Sequence, residues 1–285
     1  MSRISYVNGR YVAHRDAAVH VEDRGYQFAD GVYEVCQVRG GRLVDEGRHL
    51  QRLVRSLGEL RIGLPMRLSA LGVVLRETIR RNRVRDGLVY LQITRGVARR
   101  DFQFPAAATK PSVVVTARNL DEAKTERNAG EGIAVVTVPD NRWERVDIKS
   151  VSLLPNVLAK EAAKAVGARE AWFVDKDGFV TEGASSNAWI VTPDGTLVTR
   201  PADFGILRGV TRGVVLSLVA AQNLAFEERK FSVQEAYGAR EAFVTSASQT
   251  VMPVVSIDGR PVGNGAPGLV ATALRRDFPA HAKLS

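Results

Sequence analysis

The chain has 285 residues, of which 45% are hydrophobic and 25% are charged, and its formal net charge at pH 7 is +9. This length allows one large or two medium domains, and the composition is typical of an ordinary globular protein. The apolar runs are only a few residues long, and the N-terminal residues lack the apolar region of a signal peptide, so neither feature predicts a membrane segment.

The cysteine content and the charge pattern narrow the class of protein. The single cysteine, Cys36, excludes an internal disulfide framework and favours a reducing compartment, so we expect a cytoplasmic protein. The arginines are scattered and mixed with acidic residues, as in the run from Arg80 to Asp86. A nucleic-acid binder more often concentrates its basic residues and interleaves aromatic ones. The sequence therefore predicts neither a nucleic-acid partner nor a membrane partner.

The elements follow from turn residues and apolar spacing. Asn8-Gly9 and Gly40-Gly41 each predict the turn of a β-hairpin. Leucines at helical spacing predict a helix over residues 46–61. The remaining predictions, in chain order, are a helix over 68–82, strands over 88–94 and 112–117, a strand over 132–138, a helix over 156–166, strands over 171–174 and 179–181, a helix over 211–222, a strand over 241–245 and a helix over 265–281.

This order predicts two α/β lobes with mixed strand order. We expect a small N-terminal α/β domain over residues 1–120 and a large C-terminal domain over residues 132–285. The polar, weakly patterned segment 121–131 is the expected linker between them. No G-x-G-x-x-G motif follows a strand, so the sequence does not support a dinucleotide-binding fold.

Two short segments carry residues suited to one chemistry. Lys149 lies in the run Arg142-Trp-Glu-Arg-Val-Asp-Ile-Lys-Ser, and Glu182 lies in the turn Thr-Glu-Gly-Ala-Ser-Ser-Asn187. Pyridoxal phosphate needs such a pair, because a lysine amine can hold the aldehyde as a Schiff base while a carboxylate keeps the pyridine nitrogen protonated. Spacing alone does not prove this, since most lysines are surface charges and a glutamate in a turn can simply be solvated.

These segments, the run from Arg24 to Val35 and the loop from Thr94 to Pro105 closely resemble those of the D-amino-acid aminotransferases, which are fold-type IV pyridoxal phosphate enzymes. The resemblance covers essentially the whole chain. It implies an α+β or α/β fold of two lobes with mixed sheets, with the cofactor between them and the C-terminal domain as its main binding domain. It also implies transamination of D-amino acids with a 2-oxo acid acceptor, either 2-oxoglutarate or pyruvate.

The resemblance assigns roles to individual residues. Lys149 and Glu182 correspond to the catalytic pair. The expected residues for binding pyridoxal phosphate are Arg52, Arg142, Lys149, Glu182, Ser185, Ser186, Val210, Thr211 and Ser248. The expected substrate-binding residues are Tyr33, Arg100 and Phe102. No metal site is expected.

The loop that carries Arg100 and Phe102 is informative in two ways. In the family this loop is contributed by the partner subunit, which implies a homodimer with a shared active site. Phe102 stands where the family has a histidine, so one hydrogen-bond donor for the substrate carboxylate is missing.

Alternatives remain open within and outside the fold. Phe102 favours a transaminase of the same fold that acts on primary R-amines or branched-chain amino acids, whereas Arg100 and Tyr33 oppose it. An aminodeoxychorismate lyase shares the lysine and the glutamate, and it would release pyruvate without a 2-oxo acid acceptor. A basic nucleic-acid binder without enzymatic activity is the alternative from a different class.

Overall fold

The structure is a computed structural model that describes residues 3–285. The chain forms two compact units. Unit 1 contains the residues up to Asp121 together with Ile148–Ser152 and Lys283–Ser285, and unit 2 contains Glu122–Asp147 and Leu153–Ala282. No helix within the described part of the chain is both long and apolar enough to span a membrane.

Unit 1 is built on one antiparallel sheet. Its strands are β1 (Ile4–Val7), β2 (Arg10–Ala13), β3 (Gly31–Arg39), β4 (Arg42–Leu43), β5 (Gly87–Thr94) and β6 (Ser112–Asn119), and its helices are α1 (Arg24–Phe28), α2 (Glu46–Glu59) and α3 (Leu68–Asn82). The strand order is β2-β1-β6-β5-β3-β4. The two hairpins and both long helices predicted for this part of the chain are confirmed.

Strand β3 organises the core of unit 1. Its alternation buries Val32, Glu34, Cys36 and Val38 on one face. Apolar residues of α2 and α3 join Val32 and Val38 in a single cluster. Glu34 is a carboxylate on this buried face, so the fold must supply it with partners.

The first half of β3 pairs with a segment from the middle of the chain. Tyr33 N–H donates to the Lys149 carbonyl at 3.0 Å, and Val151 N–H donates to the Gly31 carbonyl at 3.0 Å. Ile148 is buried in the core of unit 1. Residues 148–152 belong to unit 1 because they satisfy the main-chain groups along this stretch of β3.

Unit 2 contains a mixed sheet of nine strands. They are β7 (Ile133–Pro139), β8 (Glu170–Val174), β9 (Val180–Gly183), β10 (Asn187–Val191), β11 (Leu197–Thr199), β12 (Phe226–Glu228), β13 (Glu241–Ser246), β14 (Thr250–Ile257) and β15 (Arg260–Pro261). The order is β12-β11-β10-β13-β14-β7-β8-β9, with β15 paired to β14. The pairs β14–β7, β7–β8 and β11–β12 are parallel and the others are antiparallel.

The helices of unit 2 are α4 (Glu122–Glu131), α5 (Leu154–Ala165), α6 (Val210–Ala221), α7 (Val233–Tyr237) and α8 (Leu269–His281). The structure differs from the expected linker over residues 121–131, because residues 122–131 form α4. Ala129 of this helix is buried in the core of unit 2. The helix looks like a linker in sequence because Ala129 is the residue it buries and the rest of its surface is polar.

Candidate active site

Lys149 is half-buried, and unit 1 fixes both its backbone and its amine. Its N–H donates to Ser56 Oγ at 3.3 Å, while its carbonyl accepts from Tyr33. Its Nζ lies 4.2 Å from the centroid of the Tyr33 ring. Tyr33 in turn stacks on Tyr90, whose pKa is raised to about 12 by burial and by the nearby Tyr33. The sequence-predicted residues Lys149 and Tyr33 are therefore in contact, with the amine over an aromatic face.

Arg52, also expected at the cofactor, belongs to a buried ionic cluster with Glu34 and His49. Arg52 Nε and Nη2 donate to the two carboxylate oxygens of Glu34 at 2.7 and 2.8 Å. His49 Nδ1 lies 2.8 Å from Glu34 Oε2. His49 and Arg52 reach the same carboxylate because they are three residues apart on α2. The guanidinium is thus held in a fixed, bidentate geometry.

The pKa values in this cluster follow from burial and charge. Burial would raise the pKa of Glu34, but the charge of Arg52 and the hydrogen bonds from Arg52 and His49 outweigh it and lower this pKa to about 2. Burial lowers the pKa of His49, although its hydrogen bond to Glu34 opposes the shift. At neutral pH the cluster therefore pairs one carboxylate with one guanidinium, and the imidazole is neutral.

In unit 2, Glu182 lies on β9 rather than in the turn expected from the sequence, and its carboxylate is fixed on both oxygens. Arg142 Nη1 donates to Oε1 at 2.6 Å. Asn187 Nδ2 and the N–H of Leu207 donate to Oε2 at 3.0 and 3.1 Å. Three donors, one of them a guanidinium, therefore satisfy this buried carboxylate.

Arg142 is held in turn by Asp140. Its Nε and Nη2 donate to the Asp140 carboxylate at 2.9 and 2.7 Å. Burial opposes the charge of Arg142, but the hydrogen bond to Asp140 and the charge of Glu182 outweigh burial and raise the pKa of Arg142. The structure therefore brings the two sequence-predicted residues Arg142 and Glu182 together in one ion pair.

The expected phosphate-binding residues Val210 and Thr211 form the first turn of α6. Gly209 is the N-cap, and no side chain among the described residues caps this helix. A Cβ at Gly209 would lie 2.1 Å from Asn187 Oδ1, so only glycine allows this approach of the chain to Asn187. The main-chain amides at such a helix start suit a phosphate. Ser248 Oγ, also expected to bind phosphate, lies 3.3 Å from Ser246 Oγ.

Ser185 and Ser186 follow Glu182, in the turn between β9 and β10. Both hydroxyls contact the buried carboxylate Glu170, at 2.7 and 3.1 Å from its Oε2. Glu170 had no role in the sequence analysis. It fixes the orientation of these two hydroxyls beside the strand that carries Glu182.

Arg100 and Phe102 form a third group, in the loop after β5 in unit 1. The Arg100 guanidinium lies 4.6 Å from the centroid of the Phe28 ring. The Phe102 ring lies 5.6 Å from the same ring and is 86% exposed. Both sequence-predicted loop residues therefore share one neighbour, Phe28, which the sequence did not single out.

These residues provide the chemical groups that pyridoxal phosphate requires. They offer a half-buried amine at Lys149, a carboxylate at Glu182, a guanidinium at Arg52 and main-chain amides at the start of α6, which are groups of the kind that this cofactor needs. Sequence reasoning missed the supporting partners Glu34, Asp140, Asn187 and Glu170. For Glu34 a signal existed, because the alternation of β3 places this charge on the apolar face.

The family comparison decides between the classes of protein left open by the sequence. The family described as amino-transferase class IV matches residues 31–257. The chain belongs to this family. It is therefore an aminotransferase-type enzyme, and a non-enzymatic basic binder is excluded.

Relatives of this class IV aminotransferase are similar over nearly their whole length. A D-alanine aminotransferase from Bacillus licheniformis is 42% identical over 92% of this chain and 90% of its own. A D-alanine aminotransferase from Staphylococcus haemolyticus is 39% identical over 96% and 95%. A solved branched-chain amino acid aminotransferase from Escherichia coli is 25% identical over 98% of this chain and 94% of its own, with a TM-score of 0.85. The expected fold-type IV architecture is confirmed.

The cluster around Glu34 yields a prediction on stability. In Glu34→Gln the Arg52 side chain, which is only 10% exposed, keeps its charge but loses a charged partner, so we expect the free energy of unfolding at pH 7 to fall by about 3–5 kcal/mol. The ionised carboxylate stabilises the fold above its ordinary pKa of 4.5, and this contribution is lost as the pH falls toward about 2. The difference between wild type and variant should therefore shrink below pH 4.5. Urea unfolding of wild type and variant as a function of pH measures this difference in the free energy of unfolding.

Glu77→Gln is the matched control. The pKa of Glu77 is also lowered to about 2, by hydrogen bonds from Arg80 and Arg81, but its partners lie on the solvated surface of α3. We expect little change in its free energy of unfolding at any pH. Equal losses in the two variants would contradict the role given to burial at Glu34.

Proposed function

We propose that this class IV aminotransferase transfers the amino group of D-amino acids to a 2-oxo acid such as 2-oxoglutarate or pyruvate. One observation carries the proposal. Relatives that are 42% and 39% identical over more than nine-tenths of the chain are named D-alanine aminotransferase. The branched-chain aminotransferase cited above is 25% identical, which supports that alternative less well.

The proposed cofactor is pyridoxal phosphate, held by the residues that supply suitable groups. Arg52 and the amides of Val210 and Thr211 would bind the phosphate, with the hydroxyl of Ser248 as a further donor. When bound, this group supplies a carbonyl that accepts the amino group and a ring that withdraws electrons from the bond that loses its proton.

The chain's own residues would act on charge and protons. Lys149 Nζ, presented over the Tyr33 ring, would accept a proton from the substrate and return it. The carboxylate of Glu182 would keep the ring nitrogen protonated, and Arg142, Asn187 and the Leu207 amide hold that carboxylate in a fixed orientation. Asp140 positions Arg142 and so acts on Glu182 indirectly.

One observation favours a second candidate, a transaminase of primary R-amines with the same fold. Phe102 offers an exposed ring, 86% accessible, where the resembling family has a histidine donor. A missing hydrogen bond to a charged carboxylate costs about 1.5–3 kcal/mol, which reduces the advantage of donors that carry a carboxylate. Arg100 remains as a donor in the same loop, so we favour D-amino acids.

A panel of half-reactions tests the proposed function. Holoenzyme without an acceptor is mixed with D-alanine, D-glutamate, L-leucine or R-1-phenylethylamine, and the visible absorbance of the bound cofactor is followed. We expect the absorbance to fall fastest with D-alanine. A response to L-leucine or to R-1-phenylethylamine alone would contradict the proposal, and it would identify the alternative that applies.

Replacing Glu182 tests the role of its charge. In Glu182→Gln a neutral amide no longer holds the proton on the ring nitrogen, so we expect cofactor binding to persist while kcat falls by several orders of magnitude. Cofactor content is read from the absorbance, and kcat from single turnovers with D-alanine. Turnover near that of wild type would remove Glu182 from the mechanism.

The enzyme is further proposed to be a homodimer whose subunits share each active site, acting in the cytoplasm. The support is the resemblance of the Arg100 loop to one that crosses the interface in related enzymes. We expect Lys149→Ala and Arg100→Ala to regain activity when they are mixed and reassembled, because one site of the mixed dimer is then native. The assay uses a low D-alanine concentration, where each variant alone is impaired. A fully active monomer on sizing, or mixing without recovery, would contradict the shared site.

A further inference from the structure

The ring of Phe28, the last residue of α1, lies close to two guanidinium groups. Arg24 and Arg100 each place Cζ 4.6 Å from the ring centroid. Phe102 packs against the same ring, with centroids 5.6 Å apart and an angle of 54° between the planes. These distances are typical of cation–π and aromatic pair contacts. Phe28 thus joins α1 to both substrate-binding residues of the loop.

Arg24 is fixed. Its side chain is buried, with Nε donating to Asp30 Oδ2 at 2.8 Å and Nη1 donating to the Asp101 carbonyl at 2.6 Å. Arg24 therefore contacts both the Phe28 ring and the loop backbone at Asp101, next to Arg100.

The start of the loop is anchored by the same carboxylate. Arg95 donates to Asp30 through Nε at 2.7 Å and Nη2 at 3.0 Å, and its guanidinium also reaches the carbonyls of Leu60 and Arg61. Phe104 stacks on Arg95, with the guanidinium 3.7 Å from the ring centroid. The loop is therefore fixed at its start, middle and end, while Arg100 is exposed and places its guanidinium 4.6 Å from the centroid of the Phe28 ring.

We propose that Phe28 is a positioning residue for substrate recognition, which orients Arg100 for the substrate carboxylate. The inference rests on the proposed function. A guanidinium stacked on a ring keeps its N–H edge available for a two-pronged contact with a carboxylate. Stacking also removes side-chain freedom before the substrate binds, so less entropy is lost on binding. Here Phe102 supplies no donor, so a single well-oriented guanidinium carries carboxylate recognition in this loop.

The test is a set of holoenzyme variants with D-alanine as the donor. Phe28→Leu keeps an apolar side chain but removes the ring, and we expect KM to rise about fivefold with kcat unchanged, as the loss of one cation–π contact implies. Phe28→Tyr keeps the ring face and should retain the wild-type KM. Tyr26→Leu is the matched control, because Tyr26 is an aromatic residue of the same helix that is 77% exposed and lies outside this cluster.

A double-mutant cycle separates positioning from a purely structural role. In the Arg100→Ala background, Phe28→Leu should raise KM no further, because the group that it orients is gone. An equal rise in both backgrounds would overturn the inference, and so would a fall in kcat with KM unchanged. If Phe28→Leu fails to fold, the inference is decided by Phe28→Tyr and Phe28→Trp, whose KM must stay near that of wild type.

The outcomes also separate this inference from the proposed function. Wild-type enzyme that accepts no D-amino donor contradicts the proposed function and this inference with it. Wild-type enzyme that accepts D-alanine, with an unchanged KM in Phe28→Leu, overturns this inference alone.

Discussion

Two main-chain hydrogen bonds join residues 148–152 to β3, and they determine where Lys149 can be. The bonds involve Gly31 and Tyr33, while Ser56 of α2 accepts from the Lys149 amide. A long flexible side chain alone would leave its amine with many positions. Because the backbone is paired to a sheet and the amine lies over Tyr33, the lysine is oriented by rigid elements. The rest of unit 1 keeps that strand in place.

In both units a proposed site residue forms an ion pair with a neighbouring charged side chain. Arg52 is paired with Glu34, and Glu182 is paired with Arg142, which is held in turn by Asp140. Charges with little exposed surface are costly unless they are paired and hydrogen-bonded, so each of the two proposed cofactor-binding residues, Arg52 and Glu182, has a partner of opposite sign. The supporting partners set the direction of the functional group before any ligand binds. This prior orientation is the main way in which a protein stabilises charge during a reaction.

Local signals make much of the fold predictable. The Asn8-Gly9 and Gly40-Gly41 turns and the helix over 68–82 follow from neighbouring residues, and the structure contains all of them. The sequence does not predict the strand β10, because all five of its residues are buried and it lacks the alternation that marks a half-exposed strand. The helix α4 resembles a linker in sequence because its composition is mostly polar.

The candidate site also contains features that the local sequence predicts and features that it does not. Lys149, Glu182 and Tyr33 can be predicted as site residues because they lie in short segments whose amino-acid sequence resembles that of a known family. Which residues pair with one another is not recognisable, because the contact between Arg142 and Glu182 spans 40 residues and that between Arg52 and Glu34 spans 18. Such pairs depend on how the chain folds back on itself, and no local pattern encodes that.

The discontinuity of unit 1 affects the order in which the protein can fold during synthesis. The first 121 residues form most of this unit and pair one edge of β3 at Gly31–Tyr33 with β5, but the other edge of this stretch gains its partners only with residues 148–152. The residues just before α2 gain their main-chain partners even later in synthesis. Leu43 and Asp45 pair with Ser285 and Lys283, so this corner is completed only after all of unit 2 has been made. Main-chain groups without partners promote association with other chains. In a nascent chain, the main-chain groups of Leu43 and Asp45 therefore lack these native partners until residues 283–285 have been made.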